Sequence, residues 1–159
     1  MEKNDRSFEK AWSTALMLLA RRGHTVRELK EKLRRRGFET QTAATVVSEC
    51  EKLKCIDDEE TGRAYLKELV RKGYGPSKIR CALARKGVDV SVIEGLLEES
   101  GVEERERDLC LEVLRKKLKT ASKMKEPEKI KARLYRFLLS RGFSGSVVCG
   151  LLGDCAFDE

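Results

Sequence analysis

The chain has 159 residues, with 34 Lys and Arg, 27 Asp and Glu and one His, for a formal net charge of +7. A hydrophobic share of 40% is enough to build a core and excludes wholesale disorder. No apolar run reaches the ~18–20 residues that a membrane span needs, and the opening MEKNDRSFEKAW has no apolar stretch like a signal peptide, so a cytoplasmic protein without membrane contact is expected.

Two prolines and abundant Leu, Lys, Arg and Glu favour helices, and no segment alternates with the two-residue period of a strand. From the N-terminus, Ala15, Leu16, Leu19 and Ala20 form a helical stripe ahead of Gly23, which predicts a helix over 7–22. Leu29 and Leu33 ahead of Gly37 predict a second over 25–36, and Val46, Val47 and Cys50 a third over 40–54. The pattern then starts again. Tyr65, Leu66, Leu69 and Val70 precede Gly73, Ile79 and Leu83 precede Gly87, and Leu96 and Leu97 follow, predicting helices over 58–72, 76–86 and 90–99. Asp57 and Asp58 are placed to cap the first of these, and Gly75-Pro76-Ser77 supplies a turn with Pro at a helix start. A third round follows over 102–119, 127–141 and 144–152, with Pro127 in a first turn after the basic linker from Lys119 to Glu126.

The rounds share fixed positions. Arg36-Gly37-Phe38, Lys86-Gly87-Val88 and Arg141-Gly142-Phe143 each follow two apolar residues at four-residue spacing, the last pair being Leu134 and Leu138. Glycines at 23, 37, 73, 87 and 142 suit left-handed helix ends. Cys50 and Cys155 fall at one slot of the repeat, and Leu151 and Leu152 match Leu96 and Leu97. The reading is an all-α chain of three tandem three-helix, helix-turn-helix-like repeats, divided at 1–57, 58–101 and 102–159.

Charge is unevenly spread along these units. Residues 21–36 carry eight cations against Glu28 and Glu31, and residues 115–141 carry eleven against Glu126 and Glu128, while the middle unit balances. Cations in last helical turns complement the helix dipole, which accounts for single residues but not for eleven in one segment. The basic segments therefore suit phosphates or an acidic protein face. The third-helix starts, Glu39-Thr40-Gln41-Thr42, Asp89-Val90-Ser91 and Ser144-Gly145-Ser146, lack Arg and Lys, which argues against base reading in a major groove.

The cysteines at 50, 55, 81, 110, 149 and 155 show no metal or dithiol spacing and read as buried free thiols, with Cys50, Cys81 and Cys155 on or near apolar faces. His24 is expected at a helix cap or on the surface. Asp57-Asp58-Glu59-Glu60 reads as a capping first turn and not a metal cluster. With no P-loop, no nucleophile elbow and no dinucleotide fingerprint, neither an enzyme nor a cofactor is expected.

Cys55-Ile56-Asp57-Asp58, Ala64-Tyr65-Leu66 and Arg71-Lys72-Gly73-Tyr74-Gly75-Pro76, with Ile79, Leu83 and Lys86-Gly87-Val88, resemble the central motif of the bacterial RecX family. Arg22 to Phe38, with Glu28-Leu29, Leu33 and Arg36-Gly37-Phe38, resembles the family's first repeat motif, and Phe137-Leu138 with Arg141-Gly142-Phe143 resembles its third. The likeness runs from about residue 12 to 153. It departs at Thr61-Gly62, where the family usually has Phe-Ala. The resemblance implies an elongated, curved arrangement of the repeats and a non-enzymatic modulator, usually an inhibitor, of the RecA recombinase. Its place would be the groove of the RecA filament on single-stranded DNA. A monomer is expected. The candidate contacts with filament or nucleic acid are Lys30, Arg34, Arg35, Arg36, Arg71, Lys72, Arg80, Arg85, Lys129, Lys131, Arg133, Arg136 and Arg141. The alternative is a stand-alone helical module that contacts DNA phosphates directly.

Overall fold

The computed structural model describes residues 2–121 and 127–154. Among them are nine helices and no strand. They are α1 (Glu2–Arg21), α2 (Val26–Arg35), α3 (Thr40–Lys52), α4 (Asp58–Arg71), α5 (Pro76–Lys86), α6 (Val90–Ser100), α7 (Glu106–Ala121), α8 (Pro127–Ser140) and α9 (Gly145–Asp154).

Apolar residues at helical spacing close these helices into three separate cores. Ala11, Ala15, Leu29, Leu33, Val46, Val47 and Cys50 form the first. Leu66, Leu69, Ile79, Leu83, Ile93, Leu96 and Leu97 form the second, and Cys110, Leu114, Leu134, Leu138, Phe143, Val148, Leu151 and Leu152 the third. The extensive helix–helix contacts fall within these units, so the molecule is a row of three small bundles.

The helix ends follow the glycines. Gly37, Gly73, Gly87 and Gly142 have φ between 77° and 89°, a region that only glycine enters freely. At each, the next residue donates back to a carbonyl five residues earlier, as Phe38 does to Leu33, Tyr74 to Leu69, Val88 to Leu83 and Phe143 to Leu138. This 6→1 closure brings an apolar residue over the last turn and satisfies a carbonyl the helix leaves open.

Several expectations are corrected. Gly23 is not left-handed. A Cβ there would stand 3.0 Å from Thr61 Oγ1, so its smallness serves a close approach between the α1–α2 turn and α4. That contact also gives the Thr61-Gly62 departure a structural sense: Gly62 is buried, and a Cβ on it would come within 3.0 Å of Leu96. The buried stripe of α1 runs through Ala11, Ala15 and Leu18, leaving Leu16 40% exposed. α7 starts at Glu106 and not at 102, because Gly101 turns the chain at φ 60° and Val102 drops into the core. Cys50 and Cys110 are buried, but Cys55, Cys81 and Cys149 are exposed, since each lies off its helix's apolar face or in a turn. Cys155 and most of the 119–126 linker lie outside the described residues.

His24 is 2% exposed and so is not a surface residue, and the N-cap of α2 beside it is Thr25. Its Nδ1–H donates to the Arg22 carbonyl at 2.8 Å, and Nε2 accepts from Lys32 Nζ at 2.8 Å. Burial, with the positive charges of Arg22 and Lys32 beside it, holds the imidazole below its ordinary pKa and so neutral.

Successive units meet at two joints of the same design. In each, the start of one unit's second helix sits on the C-terminal end of the next unit's second helix. At the first joint Thr25, the N-cap of α2, donates its hydroxyl to the Lys86 carbonyl. Lys86 Nζ reaches Glu28 at 2.9 Å and lies 4.3 Å from the Tyr65 ring centroid. Asp58 does not cap its own helix as expected. It accepts from the Val26 amide of α2 at 2.8 Å, leaving Asp57 to cap α4. At the second joint Gly75, the N-cap of α5, donates its amide to the Arg141 carbonyl at 2.9 Å, and the Ser77 amide donates to the Gly142 carbonyl at 3.2 Å. Arg27 covers Gly87, and Lys78 covers Gly142.

Candidate functional site

Among the described residues no group of three or more His, Cys, Asp or Glu could hold a metal ion. No described helix is long and apolar enough to cross a membrane. What the surface offers is arranged cation, and the structure sorts the candidate contacts by what each already touches.

Four lie on the outer side and end of α2: Lys30, Arg34, Arg35 and Arg36 are all exposed, as the buried stripe of Leu29 and Leu33 requires. Arg35 is paired with Glu31 along the helix. Among the described residues Lys30, Arg34 and Arg36 find no ion-pair or side-chain hydrogen-bond partner. On α8, Lys129, Lys131, Arg133 and Arg136 are likewise exposed. Lys131 and Arg136 rim a hollow of about 610 Å³ between α8 and α9, beside Tyr135 and the exposed Cys149.

The middle unit behaves differently. Arg80 is held by Glu94 at 2.8 Å and by Glu103 at 2.7 Å, which ties α5 to α6 and to the turn before α7. Those two carboxylates raise its already high pKa further and occupy its donors, so Arg80 is a clamp within the fold. Lys72 is paired with Glu68. Arg71 and Arg85 are exposed without such partners.

Units two and three enclose a groove of about 610 Å³ that brings together cations distant in sequence. Arg71 and Lys72 come from the end of α4, Lys116 and Lys117 from α7, and Arg141 from the end of α8, against one acid, Glu112. Its floor is aromatic. The Arg141 guanidinium lies 5.0 Å from the ring centroids of both Tyr74 and Phe137, and Lys117 Nζ lies 5.0 Å from Phe137. Arg141 also donates to the Lys72 carbonyl at 2.7 Å. It is therefore a positioning residue that shapes the groove, while Arg71 and Lys116 keep their charges free at the rim. Aromatic floor and cationic rim together suit a partner with acidic or phosphate groups beside flat apolar ones.

Lys116 and Lys117 were visible in the sequence only as part of a basic segment. Nothing in their own spacing places them opposite Arg71, which lies in another unit.

Family models describing the first, second and third three-helix domains of RecX match residues 11–50, 57–97 and 103–152. The chain belongs to the RecX family. A protein of Legionella pneumophila (strain Corby) named Regulatory protein RecX is 34% identical over 139 residues, 87% of this chain and 90% of that protein. One of Haemophilus influenzae (strain PittEE) with the same name is 30% identical over 145 residues, 91% of this chain and 93% of that one. The crystal structure of RecX from Lactobacillus salivarius superposes with a TM-score of 0.75 at 20% identity, covering 94% of this chain and 97% of that one. A second crystal structure, of a regulatory protein RecX, gives 0.79 at 22%, covering 96% of this chain and 74% of the other. The three-unit RecX fold is thus shared at low identity. The names of these RecX relatives describe regulators.

Proposed function

We propose that this chain binds the RecA–DNA nucleoprotein filament in the cytoplasm as a monomer and modulates its ATP hydrolysis and strand exchange, in the inhibitory direction. The observation that supports the reading best is the groove between units two and three. A regulator without catalytic groups acts by occupying a surface. Here Arg71, Lys116 and Lys117 converge over Tyr74 and Phe137, with Glu112 the one acid among the groove's lining residues. The free cations of α2 and α8 would extend the contact on either side: Lys30, Arg34 and Arg36 on one, Lys131 on the other. The two domain boundaries, at 57 and 101, are part of this reading, each of the three units supplying its own portion of a long contact.

The test is RecA-dependent ATP hydrolysis on single-stranded DNA with and without this protein. A concentration-dependent fall is expected. Binding is measured in parallel to RecA filaments and to bare single-stranded DNA across a salt series. Tighter and less salt-sensitive binding to the filament supports the regulator. Equal binding with a steep salt slope supports a simple phosphate-coating module. No effect on hydrolysis and no filament binding would reject the proposal.

A further inference from the structure

The two joints leave one copy of the same surface unfilled. Each joint has a receiving end, made by a basic residue, a left-handed glycine and an apolar residue at the close of a second helix. Lys86-Gly87-Val88 receives the start of α2, and Arg141-Gly142-Phe143 receives the start of α5. Arg36-Gly37-Phe38 is the third such end. It has the same backbone, with φ 89° at Gly37 against 88° at both others, and the same closure onto the preceding turn. Yet among the described residues nothing lies within 4 Å of where a Cβ on Gly37 would stand, whereas Arg27 and Lys78 crowd that position at Gly87 and Gly142. Among the described residues no backbone amide donates to the carbonyls of Arg36 or Gly37. The end opens into a hollow of about 530 Å³ bounded by Phe38 and Thr40, with the cations Arg34 and Arg35 and the acids Glu31 and Glu39 around it.

We infer that the open end of α2 at Arg36, Gly37 and Phe38 is a docking site for the N-terminal turn of a helix on the partner protein, one with a small or hydroxyl cap and a carboxylate in its first turn. The chemistry is taken from the filled joints. A cap hydroxyl or amide donates to the carbonyl before the glycine, as Thr25 and Gly75 do. A first-turn carboxylate meets the cation before the glycine, as Glu28 meets Lys86. Arg36 stands where Lys86 stands and has no partner among the described residues, and neighbouring Arg34 is unpaired among them too. The positive amide end of an incoming helix suits both the open carbonyls and Glu39 on the rim. The surface continues an interface that the molecule builds twice internally, so the occupant's shape is already specified by α2 and α5.

The inference rests on the RecA filament being the partner. Affinity for RecA filaments on single-stranded DNA is measured for the parent, Thr40→Trp, Arg36→Glu and Val90→Trp. Thr40 and Val90 occupy the same repeat position, three residues after the glycine, but the joint next to Val90 is already filled, and Val90 is 68% exposed. Thr40→Trp and Arg36→Glu should each weaken binding at least about tenfold, and Val90→Trp should leave it unchanged. If Thr40→Trp fails to fold, Arg36→Glu, at an exposed and unpaired position, carries the comparison. A benzophenone amino acid at position 40 should crosslink to the first turn of a recombinase helix. Parent-like affinity of the variants, or crosslinks to DNA or to a recombinase strand, would overturn the inference while leaving the proposed function standing. A parent that does not bind the filament removes both.

Discussion

The guanidinium of Arg141 donates to the main-chain carbonyl of Lys72 while resting against the ring of Tyr74, so one side chain of the third unit fixes the end of the second unit's first helix. Arg141→Lys keeps the charge but loses the flat face and the directed donor. It should lower stability by about 1–2 kcal/mol, from one hydrogen bond and two cation–π contacts. It should also weaken partner binding more than Arg85→Lys does. Thermal melts and filament binding on the two variants check this. Equal binding would mean the groove's shape is irrelevant to its partner.

The three repeat glycines should respond unequally to Ala. Gly37→Ala meets only the backbone penalty of a left-handed residue, roughly 1 kcal/mol. Gly87→Ala adds a collision with the Arg27 side chain, and Gly142→Ala adds one with the backbone of Lys78, which has no room to give. Chemical denaturation should therefore rank the losses as Gly142, then Gly87, then Gly37. An equal loss at all three would show that the joints are loose.

Acid should weaken the first joint. Burial alone would raise the Glu28 carboxyl, but hydrogen bonds from Arg22 and Lys86 outweigh it and bring the pKa down to about 2. A depressed carboxylate stabilises the fold at pH values above its unfolded value of 4.5, and that stability drains away as pH falls toward 2. The contribution at neutral pH is roughly 3 kcal/mol. Glu28→Gln should lose it and show a flatter stability profile between these pH values. His24 acts in the same direction at higher pH. Its lowered pKa means the unfolded chain protonates first, so stability should fall as pH drops below 6.5. An NMR titration placing the His24 midpoint above 6.5 would contradict the buried, Lys32-bonded imidazole.

Thiol labelling separates the cysteines. Burial pushes the Cys50 and Cys110 thiols up to about 11, so both should resist alkylation in the native state. Cys55, Cys81 and Cys149 should react quickly. Mass spectrometry of peptides after a short pulse resolves each site, and fast labelling of Cys50 would place it outside the first core.

Much of the fold was legible because it is local. Leu29 and Leu33, Ile79 and Leu83, and Leu134 and Leu138 repeat at four-residue spacing before a glycine, and both signals act within one helix and its stop. Several of the hidden features cross units. The Thr25 hydroxyl, which caps α2, also donates to the carbonyl of Lys86, 61 residues away, a contact no local pattern carries. Asp58 reads as a cap for its own helix but serves α2. Gly23 has the composition of a stop and is instead a close approach to Thr61. For the candidate site, the sequence supplied the cations but not their company. Arg80 sits in the same repeat as Arg71, and only the positions of Glu94 and Glu103 make one a clamp and leave the other available.

The head-to-tail joints give the molecule a direction. The amide end of α2 meets the carbonyl end of α5, and the amide end of α5 meets the carbonyl end of α8, so the opposed partial charges neutralise one another at both internal joints. What remains is a one-way column, its carbonyl end presented at Arg36 and its amide end at the start of α8. A helical filament is itself directional, and on such a track this column has two inequivalent orientations. On the RecA filament proposed as its partner, reversing the column would exchange its amide and carbonyl ends, so the stacking that holds the three units together would also select which way round the protein lies.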